Sequence, residues 1–244
     1  MFFIYNGRDS REFDLKIYNI NDLSAPQLEV EKVSVPGRDG DLLLEKGYGN
    51  FVLTIECDID ARRSNIEEVA TEIKKWLQSD ISYKKLFLNN SDFYYLASCN
   101  NKLDISRTFK NFASCLITFD CYPFKFLEDE IIDIDVKNNR EITITNFYRE
   151  SSPILFIEGI GDIKIKINKQ TLELRGIAEN GILSDLIIDS DLMNAYRENK
   201  TENIIVNENS KMFSDFPVLS KGENYITWEG DLKSLKINPK WNIL

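Results

Sequence analysis

The sequence contains no histidine, and this absence removes several kinds of chemistry. None of the 244 residues carries an imidazole, so Ser-His-Asp and Cys-His hydrolase arrangements lack their general base. The cysteines show no Cys-x-x-Cys spacing, so common zinc sites lack ligands too; they are Cys57, Cys99, Cys115 and Cys121. We therefore expect no enzyme, and no catalytic, cofactor-binding or metal-ligating residues.

Long apolar runs are also missing. No stretch of the chain approaches the length of a membrane span. The first residues, Met1 to Asn6, carry neither a basic leader nor a small-residue cleavage site. We therefore expect no membrane association and no export by a signal peptide.

A surplus of basic residues is absent as well. The chain has 40 acidic and 30 basic residues, a formal charge of −10. Binding a phosphate backbone requires clustered Lys and Arg that displace counterions. We therefore predict no tight DNA binding.

The cysteines and the acidic pairs have ordinary structural interpretations. Cys57, Cys115 and Cys121 fall on the apolar phase of strand patterns, which predicts small buried side chains in a reducing compartment rather than a disulfide framework. Three Asp pairs are spaced by two residues, which places both carboxylates on one strand face. They are Asp58/Asp60, Asp133/Asp135 and Asp189/Asp191, and we interpret them as solvated faces rather than glycosidase or calcium sites.

Strand patterns dominate the first half. Phe51 to Ile59 and Phe112 to Cys121 alternate apolar and polar residues, which predicts two strands of one closed or nearly closed sheet. Ser64 and Glu67 form the pattern of a capping box and predict a helix from Ser64 to roughly Gln78. Its apolar stripe, which predicts packing on a sheet, comprises Ile66, Val69, Ala70, Ile73, Trp76 and Leu77.

A hairpin is predicted after the helix. Lys85 to Leu88 and Phe93 to Ser98 flank a turn-rich Asn89 to Asp92. Tyr94 and Tyr95 point to opposite faces, so we expect at least one to cover an edge or an interface.

The pattern changes after Pro123 and Phe124. The acidic Glu128-Asp129-Glu130 run predicts a boundary between Phe126 and Ile131, and short strands separated by turns follow it. We predict domains at residues 1–128 and 129–244, the second a β-sandwich. Its apolar phases are Ile132/Ile134/Val136, Ile142/Ile144 and Ile163/Ile165/Ile167.

Two tight turns follow one another between strand patterns, at Pro36-Gly37 and Asp39-Gly40. This segment and the Lys46 to Asn50 stretch resemble the distal tail (Dit) proteins of siphophages. Other matching stretches follow in the same order along nearly the whole chain. They are Tyr5 to Gly7, Cys121 to Phe124, Ser151 to Ile154, Ile157 to Gly159, Asp215 to Pro217, Gly222 to Trp228 and Pro239 to Trp241.

The resemblance implies a mainly β fold: an N-terminal split β-barrel with a flanking helix, and a C-terminal galectin-like β-sandwich. It implies a structural protein of the tail tip, hexameric in the family, that joins the tail tube to a tail-associated lysin or fibre protein. A central channel would pass DNA, and receptor-binding or baseplate proteins could dock outside. The expected location is the virion, after assembly in the bacterial cytoplasm.

The resemblance also implies an inter-subunit arm. Its residues are Pro36, Gly37, Arg38, Asp39, Gly40, Leu42, Leu43 and Leu44. Three consecutive leucines outside a core indicate an interface, and the alternative is that they are buried in their own barrel. A carbohydrate-binding module, with Trp228 and Trp241 stacked on sugar, is the second functional hypothesis, although core positions suit both tryptophans better. An acid-base hydrolase is the third.

Overall fold

The computed structural model describes residues 1–128, 130–177, 185–199 and 204–244, so Asp129 of the predicted boundary lies outside the described residues. The chain divides into two compact units, Met1–Phe126 and Leu127–Ile243. The described residues are mostly in strands, with one α-helix, α1 (Ile66–Leu77). The predicted mainly β class is confirmed.

The first unit contains ten strands. They are β1 (Phe3–Tyr5), β2 (Arg8–Asp9), β3 (Leu15–Ile20), β4 (Leu28–Ser34), β5 (Asp41–Tyr48), β6 (Phe51–Asp60), β7 (Lys84–Leu88), β8 (Phe93–Ser98), β9 (Asp104–Phe109) and β10 (Phe112–Leu127). The main sheet has the order β2-β1-β7-β8-β10-β6-β3, and β9 also pairs with β10. Strands β4 and β5 form a separate two-stranded sheet.

The two strongest predicted strands are direct neighbours. β6 and β10 pair antiparallel, with Cys57 opposite Cys115 and Leu53 opposite Phe119. Their inward phases are buried as the alternation predicts, because side chains one residue apart face opposite sides of a sheet. All four cysteines are free and buried.

The N-cap of the helix lies one residue later than predicted. Asn65, not Ser64, is the N-cap, and its side chain accepts a hydrogen bond from the Glu67 amide at 2.9 Å. The hydroxyl of Ser64 instead donates to Asp14 at 2.9 Å. The predicted Ser64–Glu67 capping box is therefore wrong. The side chain of Ser64 forms a tertiary hydrogen bond with Asp14 instead of capping the helix.

An aromatic stack attaches α1 to the sheet. The ring of Trp76 lies between Phe13, with centroids 4.3 Å apart, and Phe3, at 5.3 Å. Its indole nitrogen donates to the backbone oxygen of Tyr5 at 2.8 Å. The apolar body and the single polar atom of this buried tryptophan are thus both satisfied.

The predicted hairpin is β7–β8, and both of its tyrosines are buried. Tyr95 belongs to the core, while Tyr94 is covered on the opposite face by Phe87 and Phe126, whose rings lie 5.4 and 5.9 Å away. The expectation that one of them covers an edge or interface is therefore wrong within this unit. Phe87 on the paired strand and the more distant Phe126 cover the face of β8 that carries Tyr94.

The described residues of the second unit form nine strands. They are β11 (Ile132–Ile134), β12 (Glu141–Asn146), β13 (Ile154–Ile167), β14 (Gln170–Ile177), β15 (Leu186–Asp189), β16 (Asn194–Asn199), β17 (Ile204–Asn207), β18 (Gly222–Asn238) and β19 (Asn242–Ile243). Eight of them, β11 to β18, form one hydrogen-bonded set. Its centre is the long antiparallel pair β13 and β18.

Two glycines lie where β13 and β18 lose their regular register. The register shifts between Glu158 and Gly159 and again between Ile160 and Lys164. Gly230 has φ +100°, and a Cβ there would lie 2.4 Å from the Asp162 carbonyl oxygen. β13 then pairs with β15 before this irregularity and with β14 after it. Trp228 and Trp241 are buried in the core of this unit, which agrees with the core positions that the sequence favoured over sugar-stacking ones.

Candidate assembly surface

The residues of the predicted arm lie in the turn between β4 and β5 and in the first half of β5, so they belong to the hairpin β4–β5. Arg38 donates its amide to the Val35 carbonyl at 3.1 Å, which closes a tight turn around Pro36 and Gly37. Gly37 has φ +82° and Gly40 has φ +78°. These positive values explain why glycine stands at both positions, since other residues adopt them at a cost.

The strands of the hairpin expose apolar side chains on both faces. Leu42 lies opposite Val33 and Leu44 opposite Glu31, while Leu43 lies opposite Lys32 on the other face. Leu42 is 36%, Leu43 64% and Leu44 50% exposed. A one-sided hairpin would bury every second leucine, so three exposed consecutive leucines indicate a surface that can be covered from two sides.

The base of the hairpin is attached to the main sheet of the same unit. Tyr48, the last residue of β5, packs edge to face against Phe124 of β10 at 5.8 Å between ring centroids. The amide of Gly49 donates to the Gln27 carbonyl at 3.0 Å and closes the base. Sequence inspection missed the contact of Tyr48 with Phe124, because no periodic pattern links residues so far apart.

Charged residues also lie on the hairpin, but they leave its leucines exposed. Lys46 and Glu31 form an exposed ion pair at 2.5 Å beside Leu44. Exposed pairs of this kind contribute little to stability. Two-stranded hairpins are marginal in water by themselves, so a partner surface is the natural source of further stabilisation.

One aspartate of each acidic pair is held by neighbouring groups, and Asp189 is buried, so the predicted solvated face is wrong for that residue. Asp60 is bound by Lys16 and Arg62. Asp135 accepts from the side-chain amide of Asn138 at 2.6 Å, and Asp189 accepts from two backbone amides in the turn after β15. Among the described residues, no group of three or more Cys, Asp or Glu side chains is placed to hold a metal ion.

The candidate sugar-stacking residues are not available at the surface. Trp228 is 4% and Trp241 7% exposed. A sugar ring could reach either indole only after local unfolding, so the carbohydrate-binding hypothesis loses the aromatic groups on which it was based.

Comparison with known proteins assigns the N-terminal half to a family. Residues 6–121 match the phage tail protein RIFT-related domain. A comparison with curated protein sequences finds no match. In the described residues, no helix is long and apolar enough to cross a membrane.

Solved structures share the fold of the whole chain. The Dit protein of phage SPP1, described as a paradigm of the hub adsorption apparatus in phages that infect Gram-positive bacteria, superposes with a TM-score of 0.73 at 11% identity, over 99% of this chain and 98% of that one. A chain of the phage P2 baseplate with calcium gives 0.58 at 10% identity, over 100% and 97%. One from the strontium form gives 0.54 at 10% identity, over 97% and 96%.

Residues 6–121 thus match a phage tail domain, and the whole chain shares the fold of phage tail and baseplate proteins. The SPP1 protein that shares this fold is itself a Dit protein, the type that the sequence of this chain resembles. The matched domain family and these structural neighbours are tail and baseplate proteins rather than enzymes.

Proposed function

We propose that the chain assembles into a homohexameric ring at the tail tip, with the β4–β5 hairpin as the contact between neighbouring subunits. The ring joins the tail tube protein to a tail-associated lysin or fibre protein and leaves a channel for DNA. Receptor-binding or baseplate proteins dock on the C-terminal unit. Assembly takes place in the bacterial cytoplasm.

The observation that carries this proposal is the exposed leucine strand of the hairpin. A hairpin of seven paired residues spans about 24 Å at the usual rise of a strand, enough to cross a neighbouring surface. A ring requires a head-to-tail contact between two different surfaces. An element that extends its apolar side chains away from its own core is suited to one side of such a contact.

The test is the mass of the assembly in solution. Multi-angle light scattering and negative-stain microscopy of the full chain should show a ring at high protein concentration. The double variant Leu42→Ser/Leu44→Ser should give monomers whose thermal unfolding is nearly unchanged, since both side chains are exposed in the monomer. Leu192→Ser/Met193→Ser, which alters two exposed apolar residues of the second unit, is the matched control and should keep the ring.

Two results would contradict the proposal. If the protein stays a strict monomer at high concentration, even after addition of the tail tube protein, the proposed ring does not form. A large loss of monomer stability in the leucine variant would show that these residues serve the fold rather than the assembly.

We also propose that DNA passes the ring without binding tightly. Ten excess negative charges oppose the phosphates, although salt screens charges more than roughly 10 Å apart, so the carboxylates that face the channel matter most. Salt-dependent retention on a DNA column near 100 mM ionic strength, where phosphate contacts still act, would show that this is wrong.

The two predicted domains are proposed to fold independently. Each compact unit has its own cluster of buried apolar side chains, and each has the usual size of a domain. Residues 1–128 expressed alone should give a dispersed NMR spectrum, and limited proteolysis of the full chain should cut between Phe126 and Ile131. A collapsed, undispersed spectrum would mean that the halves depend on each other.

A further inference from the structure

A groove with a surplus of cations lies on the N-terminal unit, on a chain whose overall charge is −10. Its volume is about 490 Å³, and its lining residues are Arg11, Asp14, Leu15, Lys16, Asp60, Arg62 and Arg63. Four cations thus meet two carboxylates. The sequence shows no such cluster, because the groove combines the start of β3 with the loop between β6 and α1, more than forty residues apart.

Asp60 organises the floor of this groove. Its side chain is 8% exposed and receives Lys16 Nζ at 2.5 Å. Arg62 approaches it with two nitrogens, Nε at 2.8 Å and Nη2 at 2.7 Å. The hydrogen bonds from Arg62 and then Lys16 hold the pKa of Asp60 well below its usual range. Two cations share one carboxylate, so the cluster keeps a positive charge in a fixed geometry.

Aromatic rings hold two of the guanidinium groups. Arg11 lies over the ring of Phe2 at 4.0 Å and is bound by Asp9, and Arg62 lies over Phe112 at 5.5 Å. Stacking of this kind restricts the long arginine side chain before any ligand arrives. Less side-chain entropy is then lost when an anion binds.

Arg63 is the cation available to a ligand. It is exposed, and within the described parts of the chain it makes no hydrogen bond or ion pair. The other lining carboxylate, Asp14, is already engaged by the Ser64 hydroxyl. The groove therefore presents a free guanidinium beside a prearranged Lys16–Arg62 pair.

We propose that this groove binds an acidic segment of a different protein. Its carboxylates would pair with Arg63 and with the N–H groups of Lys16 and Arg62 that point away from Asp60. Guanidinium groups pair with carboxylates in a planar, bidentate geometry. A few carboxylates match the small cation surplus. Duplex DNA fits less well, because its dense phosphates extend beyond the four cations and are opposed by the formal charge of −10 on the rest of the chain.

The test uses the full chain and a fluorescein-labelled octaglutamate peptide as the probe. Fluorescence anisotropy at low salt should show saturable binding that weakens as sodium chloride is added. Arg63→Glu should weaken binding by about tenfold, the order expected for reversing one charge of a charge-assisted contact. Arg140→Glu, at an exposed position of the second unit with the same change in net charge, should stay within about twofold of the parent protein.

Further measurements separate the proposal from its rivals. Arg63→Gln should give an intermediate affinity, and NMR shifts induced by the peptide should centre on Arg63 and Lys16. The proposal is overturned if octaglutamate does not bind at low salt, or if Arg63→Glu and Arg140→Glu weaken it equally. A twelve-base-pair duplex that binds more tightly and loses affinity in Arg63→Glu would assign the groove to nucleic acid. Loss of self-association in Arg63→Glu would assign it to a second copy.

Discussion

Two of the hairpins in the N-terminal unit, β7–β8 and β4–β5, have the same antiparallel pairing but lie in opposite environments. β7–β8 lies inside the main sheet, between β1 and β10, and buries Leu86, Tyr95 and Ala97. β4–β5 has the same antiparallel pairing but forms a sheet by itself, and its leucines are exposed. Both hairpins therefore pair two antiparallel strands, but only β7–β8 has neighbouring strands of the main sheet beside it. Burial depends on these neighbours rather than on the hairpin itself.

The difference is useful because it separates folding from assembly. A buried hairpin contributes to the stability of the monomer through the apolar area it removes from water. An exposed hairpin contributes little until a partner covers it. Substitutions in the two hairpins should consequently affect different measurements.

The largest expected contrast is in amide hydrogen exchange of the monomer. Amides of β7–β8 should exchange only on global unfolding, while those of β4–β5 should exchange through local opening, at least about a thousandfold faster for a domain of ordinary stability. Mass spectrometry of peptic peptides measures both in one sample. Equal protection in the monomer would mean that the arm is part of the cooperative fold.

Truncation of one leucine in each hairpin should give the next largest contrast. Leu86→Ala removes a side chain with no exposure and should cost about 2–5 kcal/mol of unfolding free energy through the cavity it leaves. Leu44→Ala, at a half-exposed site, should stay within about 0.5 kcal/mol. Urea unfolding followed by circular dichroism checks both, and similar losses would remove the distinction between the hairpins.

The connecting turns should differ in the same direction by a smaller amount. Asn89, with φ +52°, donates its amide to the Phe2 carbonyl at 2.9 Å and accepts from the Phe2 amide at 3.2 Å. Asn89→Ala loses the side-chain bond and keeps a left-handed backbone, so it should cost about 1–2 kcal/mol.

The matched substitution in the other hairpin is Gly37→Ala. A Cβ at Gly37 meets no atom within 4 Å, but its φ of +82° is unfavourable for alanine. The strain should loosen the hairpin, seen as weaker cross-strand NMR contacts, without moving the global unfolding transition. A shifted transition would tie the arm to the core.

The smallest expected effect concerns pH at the start of β7–β8. Hydrogen bonds from the Ser82 side chain, from Lys84 and from the Ser82 amide lower the pKa of Asp80 to about 2. The unfolded value is higher, so the contribution of Asp80 is complete above the unfolded pKa and is lost as pH falls through about 2. The difference in unfolding free energy between the parent protein and Asp80→Asn should shrink in this acidic window.

A carboxyl-carbon NMR titration gives the direct check on Asp80. A midpoint near the ordinary aspartate value would contradict the expected shift, and an unchanged difference between the two proteins at low pH would assign the effect of the substitution to something other than ionisation.

Local physics in the sequence determined much of this fold. Alternation predicted β6 and β10 and the buried phase of each, because neighbouring side chains on a strand face opposite sides. The apolar stripe predicted the buried face of α1, and Pro36 with Gly37 predicted the tight turn of the arm. These features depend on residues a few positions apart, so they can be predicted from the pattern of one sequence.

Only the tertiary structure decided the features that depend on distant partners. Asn65 rather than Ser64 caps the helix, because the Ser64 hydroxyl donates a hydrogen bond to Asp14, fifty residues away. Phe126 covers Tyr94, and the leucines of β5 stay exposed because no strand of the main sheet pairs with the arm. The cations around Asp60 come from separate elements, and their charges combine only after β3 and the loop before α1 are brought together.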